Sequence, residues 1–298
     1  MIEIVFLGTS SMVPTKERNH TSVLVSYNGK NILVDCGEGT QRQLKIEGIS
    51  ASKINKILIT HWHGDHVLGL PGLIQTLAAN DYEKTLEVYG PKGTKDKFKH
   101  MFSAFEFDHS RIKIDIIEVS KGKIFEDDDF ILEALPLEHG IESLGYNFIE
   151  KDKRRIEIQK AEKLGLKEGP LLGKLQEGKI ITVNGKKIKP DEVSYVVSGK
   201  KISFVFDSLP CKNAYRLAEN ADVLVCEATY MSELEEKGAE YFHMTAKQAA
   251  SIANKANAKK LILTHISARY KDAKEVENDA KDFFDNVVCA YDFMRVKV

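Results

Sequence analysis

Short apolar runs punctuated by polar turns dominate the first third of the chain. Residues 2–7 predict a strand, and residues 22–27 and 31–35 flank Asn28-Gly29-Lys30, the signature of a hairpin with an Asn-Gly turn. Residues 56–60 predict a short apolar strand running into His61, and a helix is expected over 70–79. Residues 87–89 predict a strand ended by Gly90-Pro91, and 112–119 and 124–137 predict further strands around polar turns. In the second half, 193–197 and 201–206 predict strands around Ser198-Gly199-Lys200, and 222–226 a short buried one. A helix over 245–256 carries apolar positions at Ala249, Ile252 and Ala253, with Thr245 placed to cap it. Residues 260–264 predict another strand, and 287–298 close the chain.

One stretch echoes another. Ile57-Leu58-Ile59-Thr60-His61 and Leu261-Ile262-Leu263-Thr264-His265 are both apolar strands ending in Thr-His. Two sheets packed face to face, each with helices outside, would bring these strand ends to one edge of a shared core.

Composition sets limits on this picture. A chain of 298 residues, 43% of them apolar, has ample material for a core in one large domain or two ordinary ones. The first residues lack a basic region and a long apolar run, so they read as a strand and not as a signal peptide. No apolar run approaches the ~20 residues that span a bilayer. Cys36, Cys211, Cys226 and Cys289 are scattered, with no C-x-x-C pair, which points to a reduced, cytoplasmic protein.

The charge balance is more informative in parts than in sum. The net charge of −1 argues against a uniformly basic nucleic-acid binder. Residues 151–190, however, break the apolar periodicity and contain Gly165, Gly169-Pro170, Gly173, Gly178 and Asn184-Gly185, so they read as a protruding arm or long loop inserted into the second half. This segment has 12 Lys and Arg against 5 Asp and Glu, an excess of +7, and the remainder carries −8. A basic arm on an acidic body is therefore a candidate surface for gripping phosphates.

The strongest chemical signal is His61-Trp62-His63-Gly64-Asp65-His66, four potential metal ligands within six residues. His61 and His63 stand two apart at a strand end and face one side in extended geometry. Gly64 permits a tight turn, after which Asp65 and His66 can face a second ion. His139, Asp207 and His265 each follow a predicted apolar strand. A balanced binuclear set follows: His61, His63 and His139 on one ion, Asp65, His66 and His265 on the other, and Asp207 bridging. Imidazole with carboxylate suits two zinc ions per chain, with manganese or iron as alternatives. Such a pair clamps an in-line displacement at phosphorus without a nucleophilic side chain, and Asp65 is also placed to orient or deprotonate the attacking water. His20, His100 and His109 lie in ordinary polar contexts and read as surface or structural residues.

These residues resemble the metallo-β-lactamase superfamily, and more closely the short form of ribonuclease Z, the tRNA 3′-processing endoribonuclease. The resemblance covers nearly the whole chain. It includes Phe6-Leu7-Gly8-Thr9-Ser10, Pro14-x-x-Glu17-Arg18-Asn19, the segment Val34-Asp35-Cys36-Gly37-Glu38-Gly39-Thr40-Gln41, the histidine motif continued to Leu73, Tyr89-Gly90-Pro91-Lys92-Gly93, and the ending Leu263-Thr264-His265-Ile266-Ser267-x-Arg269-Tyr270. Gly169-Pro170-Leu171-Leu172-Gly173-Lys174-Leu175 resembles the family's Gly-Pro exosite, which grips the tRNA body. Glu227-Ala228-Thr229 and His243-Met244-Thr245 resemble two motifs whose Glu and His pair near the scissile phosphate. The chain departs from the pattern at Cys226, where the family has His, and at Phe206-Asp207-Ser208-Leu209, where it has Gly-Asp-Thr-Arg. Cys226 ends an apolar strand and is expected to pack.

The resemblance implies an α/β fold, the four-layer αββα sandwich of the metallo-β-lactamase type. It implies one domain over 1–298 with a flexible tRNA-binding arm over 151–190. The implied reaction removes the 3′ trailer of precursor tRNA: a metal-bound hydroxide attacks 3′ of the discriminator nucleotide, leaving a 3′-hydroxyl on the tRNA and a 5′-phosphate on the trailer. His243, held charged by Glu227, would act as general acid for the leaving oxygen. Gly169, Pro170, Gly173, Lys174 and Arg269 would contact the tRNA. Family members are homodimers in which the arm of one subunit can serve tRNA held by the other. Two rivals remain at this level: a hydrolase of small phosphodiesters or thioesters, which would not need a basic arm, and a tRNA-binding protein without activity, for which the complete ligand set is unexpected.

Overall fold

The computed structural model describes residues 1–106, 108–183 and 185–298, so Asn184 lies outside the described residues, as does the side chain of His109. Strand Glu3–Gly8 shows how the architecture arises. Ile4 and Phe6 point into one apolar layer while Val5 and Leu7 point into another. Period-two alternation with both faces buried produces the unbroken apolar runs seen in the sequence.

Among the described residues two seven-stranded sheets form. The first runs in spatial order through Arg295–Lys297, Glu3–Gly8, Ser22–Tyr27, Lys30–Val34, Ile54–Leu58, Thr85–Gly90 and Lys113–Glu118. The second runs through Val287–Cys289, Leu261–Thr264, Val223–Glu227, Lys201–Val205, Ile141–Glu150, Phe130–His139 and Gly122–Glu126. Phe6, Tyr27, Phe130, Tyr146, Phe148 and Phe204 fill the layer between the sheets. Helices Thr40–Ile46, Leu70–Ala79 and Thr94–Ser103 cover the outer face of the first sheet. Lys212–Ala218, Ala246–Lys255 and Ala273–Lys281 cover that of the second. This is the expected αββα order. Thr245 caps its helix reciprocally with Gln248, its hydroxyl accepting from Gln248 N at 3.3 Å while Gln248 Oε1 accepts from Thr245 N at 3.0 Å.

Several elements differ from expectation. Ser194–Val197 does not pair with the strand that follows it. It pairs with Lys153–Ile156, while Lys201–Val205 lies between Ile141–Glu150 and Val223–Glu227. The chain crosses between them at Gly199, where a Cβ would stand 1.8 Å from the Glu150 carbonyl oxygen, so only glycine fits. The run 124–137 splits into Gly122–Glu126 and Phe130–His139, because the Asp127 carboxylate accepts from Asp129 N at 2.8 Å and Phe130 N at 3.0 Å and closes a turn. The run 287–298 contributes Val287–Cys289 to the second sheet and Arg295–Lys297 to the first.

Residues 151–190 are not a bare loop. Lys153–Ile156, helices Ile158–Lys163 and Pro170–Gln176, and the pair Ile181–Val183 and Lys186–Ile188 form a small unit that Ser194–Val197 completes. It has its own apolar cluster, including Ala161, Leu166, Leu172, Leu175, Ile181 and Ile188. Asp152 Oδ1 accepts from Gly199 N at 2.9 Å and ties the base of the unit to the body.

Candidate metal centre

The carboxyl ends of the parallel strands converge where the two sheets meet. Asp35 follows Lys30–Val34, Thr60 and His61 follow Ile54–Leu58, Asp207 follows Lys201–Val205, Glu227 ends Val223–Glu227, and His265 follows Leu261–Thr264. Clefts at such strand ends are the usual ligand sites of open α/β sheets. Tyr146, fully buried between the sheets, donates its hydroxyl to Ile59 O at 2.7 Å and so fixes the approach to Thr60-His61. Asp35, Asp207 and His265 have φ of 58°, 34° and 58°, a left-handed backbone uncommon outside glycine. Strain of this kind concentrates where side chains must be aimed.

The seven expected ligands come together as two groups. One comprises His61, His63, His139 and Asp207; the other Asp65, His66, Asp207 and His265; within each, one ligand atom per residue lies within 4.8 Å of the others. His63 Nδ1 is 3.1 Å from His61 Nε2 and 3.1 Å from His139 Nε2. Asp207 Oδ2 is 3.5 Å from His61 Nε2 and 3.4 Å from His66 Nε2. Asp207 Oδ1 is 3.3 Å from His265 Nε2, so the carboxylate faces both groups. His265 Nε2 is also 3.3 Å from Asp65 Oδ2.

In four of the five histidines the ring nitrogen turned away from the centre is engaged. His66 Nδ1 donates to Asp35 Oδ2 at 2.6 Å, His139 Nδ1 to the Phe242 carbonyl at 3.0 Å, and His265 Nδ1 to Thr229 Oγ1 at 2.8 Å. Thr60 Oγ1 donates to Asp35 Oδ2 at 2.7 Å and therefore accepts from His61 Nδ1 at 3.0 Å. These bonds fix the tautomers and leave four Nε2 atoms pointing inward. Lone pairs 3.1–3.5 Å apart, beside two carboxylates, repel unless a proton or cation lies between them. Asp65 Oδ1 and Asp207 Oδ1 are buried without a hydrogen-bond partner. The donor set fits two divalent cations.

The electrostatics agree. Burial, then the charge of His66, holds the His61 imidazole well below its ordinary range and keeps it neutral. Burial opposes charge on His66, but Asp207, Asp35 and Asp65 raise it well above the usual value. A proton held that firmly marks a position suited to a cation.

Beside the groups stands His243. Its Nδ1 lies 3.1 Å from Glu227 Oε2, 3.3 Å from Glu227 Oε1 and 4.0 Å from Asp207 Oδ2. Burial pulls the ring down, but the Glu227 charge and hydrogen bond outweigh it and push His243 up to about 9. Glu227 is itself fixed, accepting from Ser208 N at 2.5 Å and Thr229 Oγ1 at 2.6 Å. Ser208 is thus the residue that holds Glu227 where the sequence departs around Asp207. Cys226 is fully buried in the outer apolar cluster, where it packs.

A cleft of about 400 Å³ opens over the centre, walled by Met12, Val13, Tyr230 and Tyr241. Arg269 is exposed and lies over the Tyr230 ring at 4.9 Å. Gly169, Pro170, Gly173 and Lys174 are exposed on the arm and do not line this cleft. A larger groove of about 870 Å³ beside Arg42 and Lys45 has none of the clustered histidines or carboxylates in its lining. His20 is buried, its Nε2 donating to Met12 O at 3.0 Å and bracing the loop over the cleft. The supporting residues Asp35, Thr60 and Thr229 carry no spacing signal, although Asp35 ends an apolar strand as Asp207 does. The four cysteines are free and buried, and among the described residues no helix is long and apolar enough to cross a membrane.

The sequence and the fold are similar to those of known proteins. A profile described as "Beta-lactamase superfamily domain" matches residues 174–266, and one described as "Anti-Pycsar protein Apyc1" matches residues 2–147. The chain is 42% identical to the ribonuclease Z of Methanothermobacter thermautotrophicus over 303 residues, covering 100% of this chain and 97% of that protein. It superposes on human tRNase Z, short form, with a TM-score of 0.70 at 26% identity, covering 99% of both chains. The metallo-β-lactamase fold protein YhfI from Bacillus subtilis matches with a TM-score of 0.73 at 17% identity, covering 99% and 98%; that likeness is one of fold.

Proposed function

The chain belongs to the ribonuclease Z family, and on that premise we propose that it is a metal-dependent endoribonuclease that cuts precursor tRNA 3′ of the discriminator nucleotide. The observation that carries this reading is the pair of histidine–aspartate groups with the charged His243–Glu227 pair at their edge. His61, His63, His139 and Asp207 would hold one ion; Asp65, His66, His265 and Asp207 the other. Zinc suits the donors, with manganese or iron as alternatives, and when bound the ions would supply Lewis acidity and a water acidified toward neutral pH.

The chain's own groups supply the rest. Asp65 orients or deprotonates the attacking water. His243 has Nδ1 on Glu227, so Nε2 is the atom that hands a proton to the departing O3′. An alkoxide leaves poorly, which makes that proton worth ~10²–10⁴ in rate. The products are a 3′-hydroxyl on the tRNA and a 5′-phosphate on the trailer. On the arm, Gly169, Pro170, Gly173 and Lys174 grip the tRNA body, and Arg269 meets the acceptor end at the cleft. The protein acts in the cytoplasm as a homodimer, the arm of one subunit reaching tRNA held by the other; a monomeric mass by light scattering would exclude that sharing.

The test sets a labelled precursor tRNA beside a small chromogenic phosphodiester. Cleavage of the tRNA is expected. Hydrolysis of the small ester alone would favour a small-molecule hydrolase instead.

A further inference from the structure

A second groove, of about 470 Å³, adjoins the catalytic cleft and shares His139 with it. Its walls include Leu137, Gly140, Ile141, Leu209 and Phe242. Phe242 is unusual on two counts. Its φ is 59°, a conformation that a bulky residue adopts only at a cost. Its side chain also lies over bare Gly140, where a Cβ would stand 3.2 Å from the ring, yet the residue remains 41% exposed. The carbonyl of Phe242 orients His139, but that service needs only the backbone, and glycine would provide it without strain. The aromatic ring calls for a separate reason.

We propose that Phe242 is a stacking platform for the base of the first trailer nucleotide, and that the groove it walls is the trailer's exit path. This rests on the tRNA-cleaving reading above. Polarity follows from the acid: the oxygen that His243 protonates stays on the tRNA, and His243 lines the cleft but not the groove. The last tRNA nucleotide therefore belongs in the cleft, and the groove beyond His139 is left for the trailer. Glu138 and Glu142 are exposed on the groove's rim, and no Lys or Arg among the described residues lines it. These rim carboxylates turn the trailer's phosphates outward to solvent and leave the groove to a base face, which stacks on an aromatic ring whatever its identity.

The experiment uses the full chain carrying Asp65→Ala, bound to a precursor tRNA with 2-aminopurine at the first trailer position. Quenching of the probe is expected, with several-fold recovery of fluorescence in Phe242→Leu and renewed quenching in Phe242→Tyr. With Asp65 intact, Phe242→Leu should raise KM for the same substrate about tenfold at near-constant kcat, and Phe242→Tyr should restore it. Equal quenching in Phe242→Leu, or a fall in kcat with KM unchanged, would overturn the platform; the latter would mean that Phe242 acts only through His139. A protein that quenches the probe but never cleaves the tRNA would instead overturn the activity reading and leave the platform standing.

Discussion

The body and the arm bury apolar surface in the same way but divide the charges between them. The body carries −8 and places His61, Asp65, His66, His139, Asp207, Glu227 and His265 at the meeting edge of two sheets, almost completely buried. The arm carries +7, sets its lysines and arginines around a small separate core, and exposes Gly169, Pro170 and Lys174. On the proposed reading, the buried residues would aim chemistry at a phosphorus atom, whereas the exposed cations would hold a polyanion by long-range attraction. One region should thus decide what bond breaks, and the other which molecule is presented.

The largest effect should follow from striking the body. Asp65→Ala removes a proposed ligand that would also orient the water, and is expected to lower turnover ~10³-fold or more on precursor tRNA and small diester alike. Metal content by atomic emission should fall below two ions per chain. A loss confined to the tRNA substrate would break the assignment of chemistry to the body.

His243 sharpens the comparison within the body. A p-nitrophenolate leaves without help, while an alkoxide needs a proton. His243→Gln should therefore cost ~10²–10⁴ on precursor tRNA and little on a p-nitrophenyl diester. Because its folded value is raised to about 9, His243 stays protonated through neutral pH and loses its proton as pH rises through that value. Turnover on the tRNA should decline above about pH 9, and the glutamine variant should lack that decline. Equal losses on both substrates would show that His243 serves the metal centre instead.

Excising the arm tests the other side. A short linker joining Asp152 to Gly199 replaces the unit at its hydrogen-bonded base. Precursor-tRNA cleavage should fall roughly 10²-fold, the scale of losing several phosphate contacts, with the small diester spared. In the intact protein, kcat/KM for the tRNA should drop steeply between low and moderate salt while the diester stays level. If both activities fall together on excision, the arm is structural.

The smallest effect concerns the arm's own cohesion. Leu175 is fully buried in its cluster, so Leu175→Ala should destabilise the unit by about 2–4 kcal/mol. Hydrogen exchange should quicken within 153–197 and remain unchanged in the sheets. A uniform change across the molecule would mean that arm and body unfold as one.

The body was far more legible than the arm. Histidines and an aspartate packed two and three apart at a strand end, and single histidines or aspartates ending apolar strands, are local signals, so the seven residues that converge at the centre could be read directly. Asp35 stood only within a family-like segment and had no role assigned, because an isolated aspartate has no spacing partner; its role appears once His66 and Thr60 converge on it. Helices Thr94–Ser103 and Ala273–Lys281 were missed because each buries only a few residues beneath a charged surface. The pairing of Ser194–Val197 with Lys153–Ile156 spans some forty residues, and local patterns do not encode distant partners. The arm's cluster draws single residues from short elements, so no period reveals it.

The most direct test of the central claim is end mapping of a labelled precursor tRNA after cleavage, with and without Asp65→Ala. A single cut 3′ of the discriminator nucleotide is expected, with a 3′-hydroxyl on the tRNA and a 5′-phosphate on the trailer, and the cut should vanish in the variant. A 3′-phosphate or cyclic phosphate on the tRNA, or undiminished cleavage by Asp65→Ala, would contradict the account.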